Sequence, residues 1–175
     1  MKKNLFVLMS LLLMIVSAGC SKDDDESDDQ LTVNFQLQRE DGRECYDFRE
    51  GENIVFSLEI KNNTEEDVIE RGGIGYFIGN GIFHVYSSQG EDFGTPYDML
   101  IIPEVGFASI LSKSSISFLC PWVNDIETEL TWNPRYGVFG IDKTRPLPKG
   151  EYYSHFAIRL SDDRVVTCKK NFKIK

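Results

Sequence analysis

From residue 31 onward, apolar and polar residues alternate with a period of two, and this alternation limits the fold more than any other feature. In Leu31–Gln38 every odd-numbered residue is apolar, and Asp41-Gly42 follows as a turn. The same period recurs in four later segments, at residues 54–60, 116–120, 152–160 and 166–174. Each such segment is typical of a strand with one buried face. The sequence therefore predicts a largely antiparallel sheet structure.

Composition and segment spacing narrow the fold class further. The chain has three alanines against twelve phenylalanines and seven tyrosines, which argues against a helix bundle. Clusters of Asn, Asp, Gly and Ser separate the alternating segments at short intervals. We therefore predict one all-β domain over residues 31–175, an immunoglobulin-like antiparallel β-sandwich of about seven to nine strands.

Residues 147–152 read Leu-Pro-Lys-Gly-Glu-Tyr, which places Tyr152 just past a Pro/Gly corner at the start of the penultimate strand. A tyrosine corner has its tyrosine at this point, with the hydroxyl bonded back to the backbone. The segment resembles the Leu-Pro-x-Gly-x-Tyr turn of bacterial immunoglobulin-like domains. Over residues 50–160 the layout, including Phe-Ser-Leu-Glu-Ile-Lys-Asn-Asn-Thr at residues 56–64, also resembles the intracellular proteinase inhibitor family of bacilli. That resemblance implies the fold and assigns no inhibitory residue.

Residues 1–19 combine a positive start, an apolar run and small residues, as a secretory signal peptide does. The apolar run from Leu5 to Val16 is too short to span a bilayer, although a signal anchor or a buried helix is an alternative. Cys20 follows Ala18-Gly19 directly, and this junction resembles the lipobox of bacterial lipoproteins. The resemblance implies lipidation of Cys20 and a membrane partner through the lipid anchor.

Residues 20–30 contain six acidic residues and predict a solvated tether between the anchor and the domain. The start of this segment, Cys-Ser-Lys-Asp-Asp-Asp, resembles the export signal of Bacteroidota surface lipoproteins. The resemblance implies an outer-membrane protein, lipid-anchored and displayed on the cell surface. A periplasm-facing anchor and a plain spacer are the alternatives.

Three cysteines besides Cys20 lie in an exported domain, where disulfides can persist. Cys120 and Cys168 both fall on the apolar phase of predicted strands, which makes them the first candidates for a disulfide. Cys45 with Cys168 is the second candidate, and three unpaired thiols are the third. No Cys-x-x-Cys is present and neither histidine has ligand spacing, so we expect no metal site and no cofactor.

Nothing in the sequence indicates catalysis. His84 and His155 both lie in predicted strands, and the chain has no nucleophile elbow, zinc-protease motif or phosphate loop. The net charge of −9 argues against a nucleic-acid partner, because phosphate binding needs a basic face. We therefore expect a protein that is not an enzyme.

Residues 121–146 form a long connection rich in aromatic residues. The candidate ligand-binding residues are Trp132, Asn133, Arg135 and Tyr136, because aromatic rings beside amide and guanidinium donors grip sugars or peptides. The alternative is that this segment closes one end of the sandwich. We expect a binding or interaction module, with a glycan, another nutrient or a protein as ligand. A proteinase-inhibitor-like domain and a structural envelope module are the alternatives.

Overall fold

The computed structural model describes residues 30–70, 81–98, 108–124, 140–141, 146–159 and 165–175. Residues 1–29, with the predicted signal peptide, Cys20 and the tether, lie outside this part. The described residues form no helix, and hence none that could cross a membrane. They form twelve strands: β1 (Leu31–Gln38), β2 (Asp47–Phe48), β3 (Ile54–Asn62), β4 (Val68–Glu70), β5 (Val85–Ser87), β6 (Asp92–Gly94), β7 (Tyr97–Asp98), β8 (Ala108–Ile110), β9 (Ser115–Trp122), β10 (Gly140–Ile141), β11 (Gly150–Arg159) and β12 (Val165–Ile174).

Eight of these strands build the two sheets of a β-sandwich. One sheet has three antiparallel strands in the order β1-β3-β9, and the other has five in the order β2-β12-β11-β5-β6. The pairing of β2 with β12 is parallel. The described residues thus start in the three-stranded sheet with β1, and the chain then crosses to β2 at the edge of the five-stranded sheet, beside β12. This order agrees with the predicted immunoglobulin-like sandwich.

The alternation read from the sequence defines the buried faces. In β1 the odd-numbered residues are buried, and in β12 the even-numbered residues from Val166 to Ile174 are buried. Because successive side chains of a strand point to opposite faces, the long strands each contribute one mainly apolar row to the space between the sheets, with Ser154 and Lys170 as polar members. The remaining rows form the outer faces of the sandwich.

Phenylalanines from both sheets meet at the centre of the core. Phe35 and Phe56 belong to the three-stranded sheet, and Phe156 belongs to the five-stranded sheet. Phe35 lies 4.9 Å from Phe156 between ring centroids, in an edge-to-face arrangement. Phe83 lies 5.6 Å from Phe56 and 5.7 Å from Phe156, so it closes the cluster. Such pairs contribute about 0.5–1.5 kcal/mol each beyond their burial.

The predicted tyrosine corner is present. The Tyr152 hydroxyl donates a hydrogen bond to the carbonyl oxygen of Pro148 at 2.6 Å. The Tyr152 ring is buried and stacks on Phe172, with a centroid separation of 5.5 Å. Phe93 meets the same ring edge-on at 5.4 Å. The corner therefore fixes the turn before β11 to the core.

Two strand boundaries differ from the sequence prediction. The sequence analysis places His84 in a strand, but Phe83 adopts a left-handed backbone with φ of 65° and β5 begins only at Val85. β9 extends beyond the alternating segment 116–120, through Pro121 to Trp122. Pro121 is tolerated because β9 is the end strand of its sheet and, among the described residues, pairs with β3 alone.

All three of the described cysteines are free thiols. Cys120 and Cys168 are both buried, as expected from the alternation, but both are present as thiols and not as the predicted disulfide. The Cys120 sulfur lies 4.0 Å from the Pro96 carbonyl oxygen. Cys45 is also a thiol, and its sulfur donates to the Asp47 carbonyl oxygen at 3.1 Å. Burial on facing strands does not by itself bring two sulfurs within bonding geometry.

Candidate functional site

The predicted ligand-binding residues Trp132, Asn133, Arg135 and Tyr136 lie outside the described residues, so their role stays a prediction. The structure does describe both ends of the segment that contains them. At one end Trp122 is almost fully buried, so it belongs to the core. At the other end the Leu147 N–H donates to the Asn124 side-chain oxygen at 2.8 Å. The segment therefore starts and returns at one buried point.

Asn124 is held in turn by the polypeptide before β3. Its backbone N–H donates to the Asn53 side-chain oxygen at 2.9 Å, and its side-chain nitrogen donates to the Glu52 carbonyl oxygen at 2.7 Å. Asn53 and Asn124 are both buried, and each of these hydrogen bonds joins two groups of the protein. This polar cluster anchors the base of the 121–146 segment.

The outer face of the five-stranded sheet carries a row of aromatic rings that the sequence analysis does not identify. Tyr86 of β5 and Tyr153 of β11 are directly opposite each other, with ring centroids 5.3 Å apart and planes inclined by 22°. His84 extends the row, since its ring stacks on Tyr86 at 4.6 Å and 9°. The Lys169 ammonium lies over the Tyr153 ring, 4.7 Å from its centroid. The rings thus form one partly exposed aromatic platform.

Polar residues border the platform on the side of β2. The register places Asn171 opposite Tyr153, and it places Lys173 between Asp47 and Glu151 in the next row. The residues of these two rows line an open groove of about 360 Å³, and Tyr46 lines it as well. The groove therefore combines aromatic walls, an exposed amide and charges of both signs.

A third row lies on the other side of the platform. His155 pairs with Lys169, and the His155 N–H donates to the His84 carbonyl oxygen at 3.1 Å. The His84 Nε2 atom lies 2.6 Å from an Asp92 carboxylate oxygen, so the imidazole is held by a side-chain partner. His155 is therefore a strand residue of β11, whereas His84 directly precedes β5. The described residues contain no group of side chains that could hold a metal ion.

On this face the surroundings stabilise the charged form of the Asp47 carboxyl and the protonated form of the Tyr86 hydroxyl. Hydrogen bonds from Lys175 and then Lys173 hold the pKa of the Asp47 carboxyl below its ordinary value. Partial burial, followed by the charge of Asp92 and by Tyr153, raises the pKa of the Tyr86 hydroxyl. Tyr86 therefore keeps its proton at neutral pH and can donate a hydrogen bond.

Asn62 shows that the Asn-Asn-Thr sequence at residues 62–64 is structural. Asn62 is fully buried, and its side-chain nitrogen donates to the Glu66 carbonyl oxygen at 2.7 Å and to the Ile110 carbonyl oxygen at 3.0 Å. Its side-chain oxygen accepts a hydrogen bond from the Thr64 N–H at 2.9 Å. The amide is therefore occupied by turn contacts in the folded protein.

No family model, curated protein or solved structure matches this chain. The functional argument therefore depends on the residues themselves. The signal that identifies the platform in retrospect is an aromatic residue on the polar phase of a strand. In β11, Tyr152, Ser154 and Phe156 point inward, which leaves Tyr153 on the outer face.

Proposed function

We propose that this chain is a lipid-anchored surface protein whose sandwich is a non-catalytic binding module for glycans. The anchor part of the proposal is supported by the sequence around Cys20 and by the acidic residues that follow it. The binding part is supported by the outer face of the five-stranded sheet. We assign the binding surface to the Tyr86–Tyr153 platform and the groove beside it.

The observation that carries the proposal is the partly exposed stack of Tyr86 and Tyr153 between two polar rows. Protein binding surfaces usually have an apolar centre that is rich in aromatic residues and a rim of polar residues. The rings are also fixed in place, because Tyr86 is held between His84 and Tyr153. A rigid platform loses little conformational entropy when a ligand binds to it.

The chemistry of the rows favours a hydroxyl-rich, uncharged ligand. The faces of the two tyrosine rings are covered by His84, by each other and by Lys169. The C–H groups of a sugar ring can therefore pack against the outer edges of Tyr86 and Tyr153, while hydroxyl groups meet the Asn171 amide and the Glu151 carboxylate. Charges of both signs alternate across Asp47, Lys173 and Glu151, so the groove offers no uniform charge to an ionic ligand. A glycan therefore fits this surface better than a highly charged polymer does.

Proteinase inhibition, the alternative raised by the family resemblance, is supported by the fold alone. The feature shared with that family is the layout of strands and turns over residues 50–160, which assigns no inhibitory residue. It favours an immunoglobulin-like sandwich and does not indicate contact with a proteinase.

A glycan array tests the proposal directly. We expect the wild-type protein to bind a subset of neutral oligosaccharides or polysaccharides, and we expect Tyr86→Ala with Tyr153→Ala to lose that binding. Aromatic contacts contribute about 0.5–1.5 kcal/mol each beyond the area they bury, so the loss of both rings should weaken the affinity about tenfold or more.

Two control variants make the result specific. Tyr153→Phe keeps the ring and should retain most of the binding, because contact between the ligand and the ring does not need the hydroxyl. Gln36→Ala lies on the outer face of the opposite sheet and should leave binding unchanged. Binding that survives in the double alanine variant would contradict the assignment of the surface.

A further inference from the structure

The open edge of β1 is a second surface that the binding proposal does not use. β1 is the outermost strand of the three-stranded sheet and pairs with β3 on one side. On its other side, the pairing found among the described residues is a single bridge between Gln38 and Glu44. An edge strand of this kind presents backbone donors and acceptors to another strand.

The register shows which backbone groups face outward. The Asn63 N–H donates to the Gln30 carbonyl oxygen at 2.8 Å, so even-numbered residues of β1 direct their backbone groups toward β3. Odd-numbered residues direct theirs away from β3. In agreement, the Leu37 carbonyl oxygen accepts a hydrogen bond from the Cys45 N–H at 2.9 Å. Leu31, Val33 and Phe35 thus present three N–H and three C=O groups to which no described residue is bonded.

This edge lacks the protection that the other edges have. Natural sheets guard their edges with short strands, charges, proline or bulges. The five-stranded sheet ends in β2 and β6, which have two and three residues, and the pairing of β6 is interrupted by a register shift. β9 contains Pro121. β1 has eight residues and contains no charged residue, no proline and no glycine.

We propose that β1 pairs with β1 of a second copy of this chain in an antiparallel dimer whose two-fold axis passes between the two Val33 residues. In this register Val33 faces Val33 of the second copy, and Leu31 faces Phe35 of the second copy. All six outward groups of each chain then form hydrogen bonds, six in total across the interface. Isologous pairing of this kind is the commonest symmetry of homodimers.

The side chains agree with the same register. On the outer face Thr32 meets Asn34 of the second copy, and Gln36 meets Gln30 of the second copy. These pairs are neutral and polar, so no like charges oppose each other across the interface. On the inner face Leu31 and Phe35 continue the apolar row of the core. The strand is thus complementary to itself, which favours a second copy over an unrelated peptide as its partner.

Cysteine cross-linking of the full-length chain tests the register. The variant Thr32→Cys with Asn34→Cys, in a Cys45→Ser background, places cysteines opposite each other in adjacent copies. We expect a disulfide-linked dimer on a non-reducing gel after mild oxidation. The matched control, Thr32→Cys with Gln38→Cys, has the same number of cysteines but no facing pair. Equal dimer yield from both variants would overturn the register.

The molar mass in solution tests the dimer without cysteines. Light scattering of the purified full-length protein should give twice the mass of one chain. Thr32→Lys with Asn34→Lys should give the mass of one chain, because lysines would face each other across the edge. Both residues lie on the outer face of β1, and the one exposed hydrogen bond that Thr32 accepts from the Asn63 side chain is a small loss, so the variant should remain folded. Any fall in the melting temperature should match the loss of dimer pairing and depend on protein concentration in the wild type. A wild-type protein with the mass of one chain would overturn the proposal, whatever the outcome of the glycan array.

Discussion

Tyr152→Phe removes a single hydroxyl from the corner before β11 and leaves the packed ring in place. The lost hydrogen bond is 2.6 Å long and joins a buried ring to the Pro148 carbonyl oxygen. A typical intramolecular hydrogen bond contributes about 0.5–1.5 kcal/mol, and an abandoned buried acceptor costs about 1–3 kcal/mol. Pro148 itself is exposed, so water can replace part of the bond. We therefore expect a loss of about 1–2 kcal/mol in the free energy of unfolding.

Thermal and denaturant unfolding measure this loss. For a domain of this size, about 1–2 kcal/mol lowers the melting temperature by about 3–8 °C. The neighbouring Tyr153→Phe is the matched control, because it makes the same chemical change on the outer face of the same strand. Its effect should stay within about 0.5 kcal/mol. Equal melting temperatures for the wild type and Tyr152→Phe would refute the structural role of the corner.

Two further predictions concern charge and thiols. The hydrogen bond from Lys175 lowers the pKa of Asp47, so this ion pair should stabilise the fold above pH 3.8 and lose its effect as the pH falls further. Asp47→Asn should therefore make the denaturation midpoint less dependent on pH in the acid range. Burial raises the pKa of the Cys120 thiol, so a thiol-reactive reagent should label Cys45 in the native reduced protein and reach Cys120 and Cys168 only after unfolding. Failure of Cys120 and Cys168 to react after unfolding without reductant would indicate a disulfide between them.

The strands with long alternation could be predicted from the sequence. Leu31–Gln38 is a strand over the full predicted length, and the final hairpin pairs β11 with β12 as expected. The corner at Tyr152 could also be predicted, because a Pro/Gly turn directly before a strand tyrosine is a local signal. In each case the information lies within a few consecutive residues.

The aromatic platform could not be predicted in the same way. Tyr86 and Tyr153 become neighbours only through the pairing of β5 with β11, and β5 has three residues with too little alternation to define a register. The parallel pairing of β2 with β12 is a similar case, because Asp47–Phe48 is too short to show a period. Contacts between distant segments depend on which strands pair, and local pattern does not determine that choice.

The most direct test compares the two candidate binding surfaces against one immobilised glycan identified on the array. One variant is Tyr86→Ala with Tyr153→Ala, and the other is Trp132→Ala with Tyr136→Ala in the segment predicted from the sequence. Melting temperatures are measured first, so that affinity is compared only between folded proteins. We predict that the first variant loses binding by more than about tenfold while the second binds as the wild type does. Retained binding by the first variant and lost binding by the second would contradict the assignment to the five-stranded sheet.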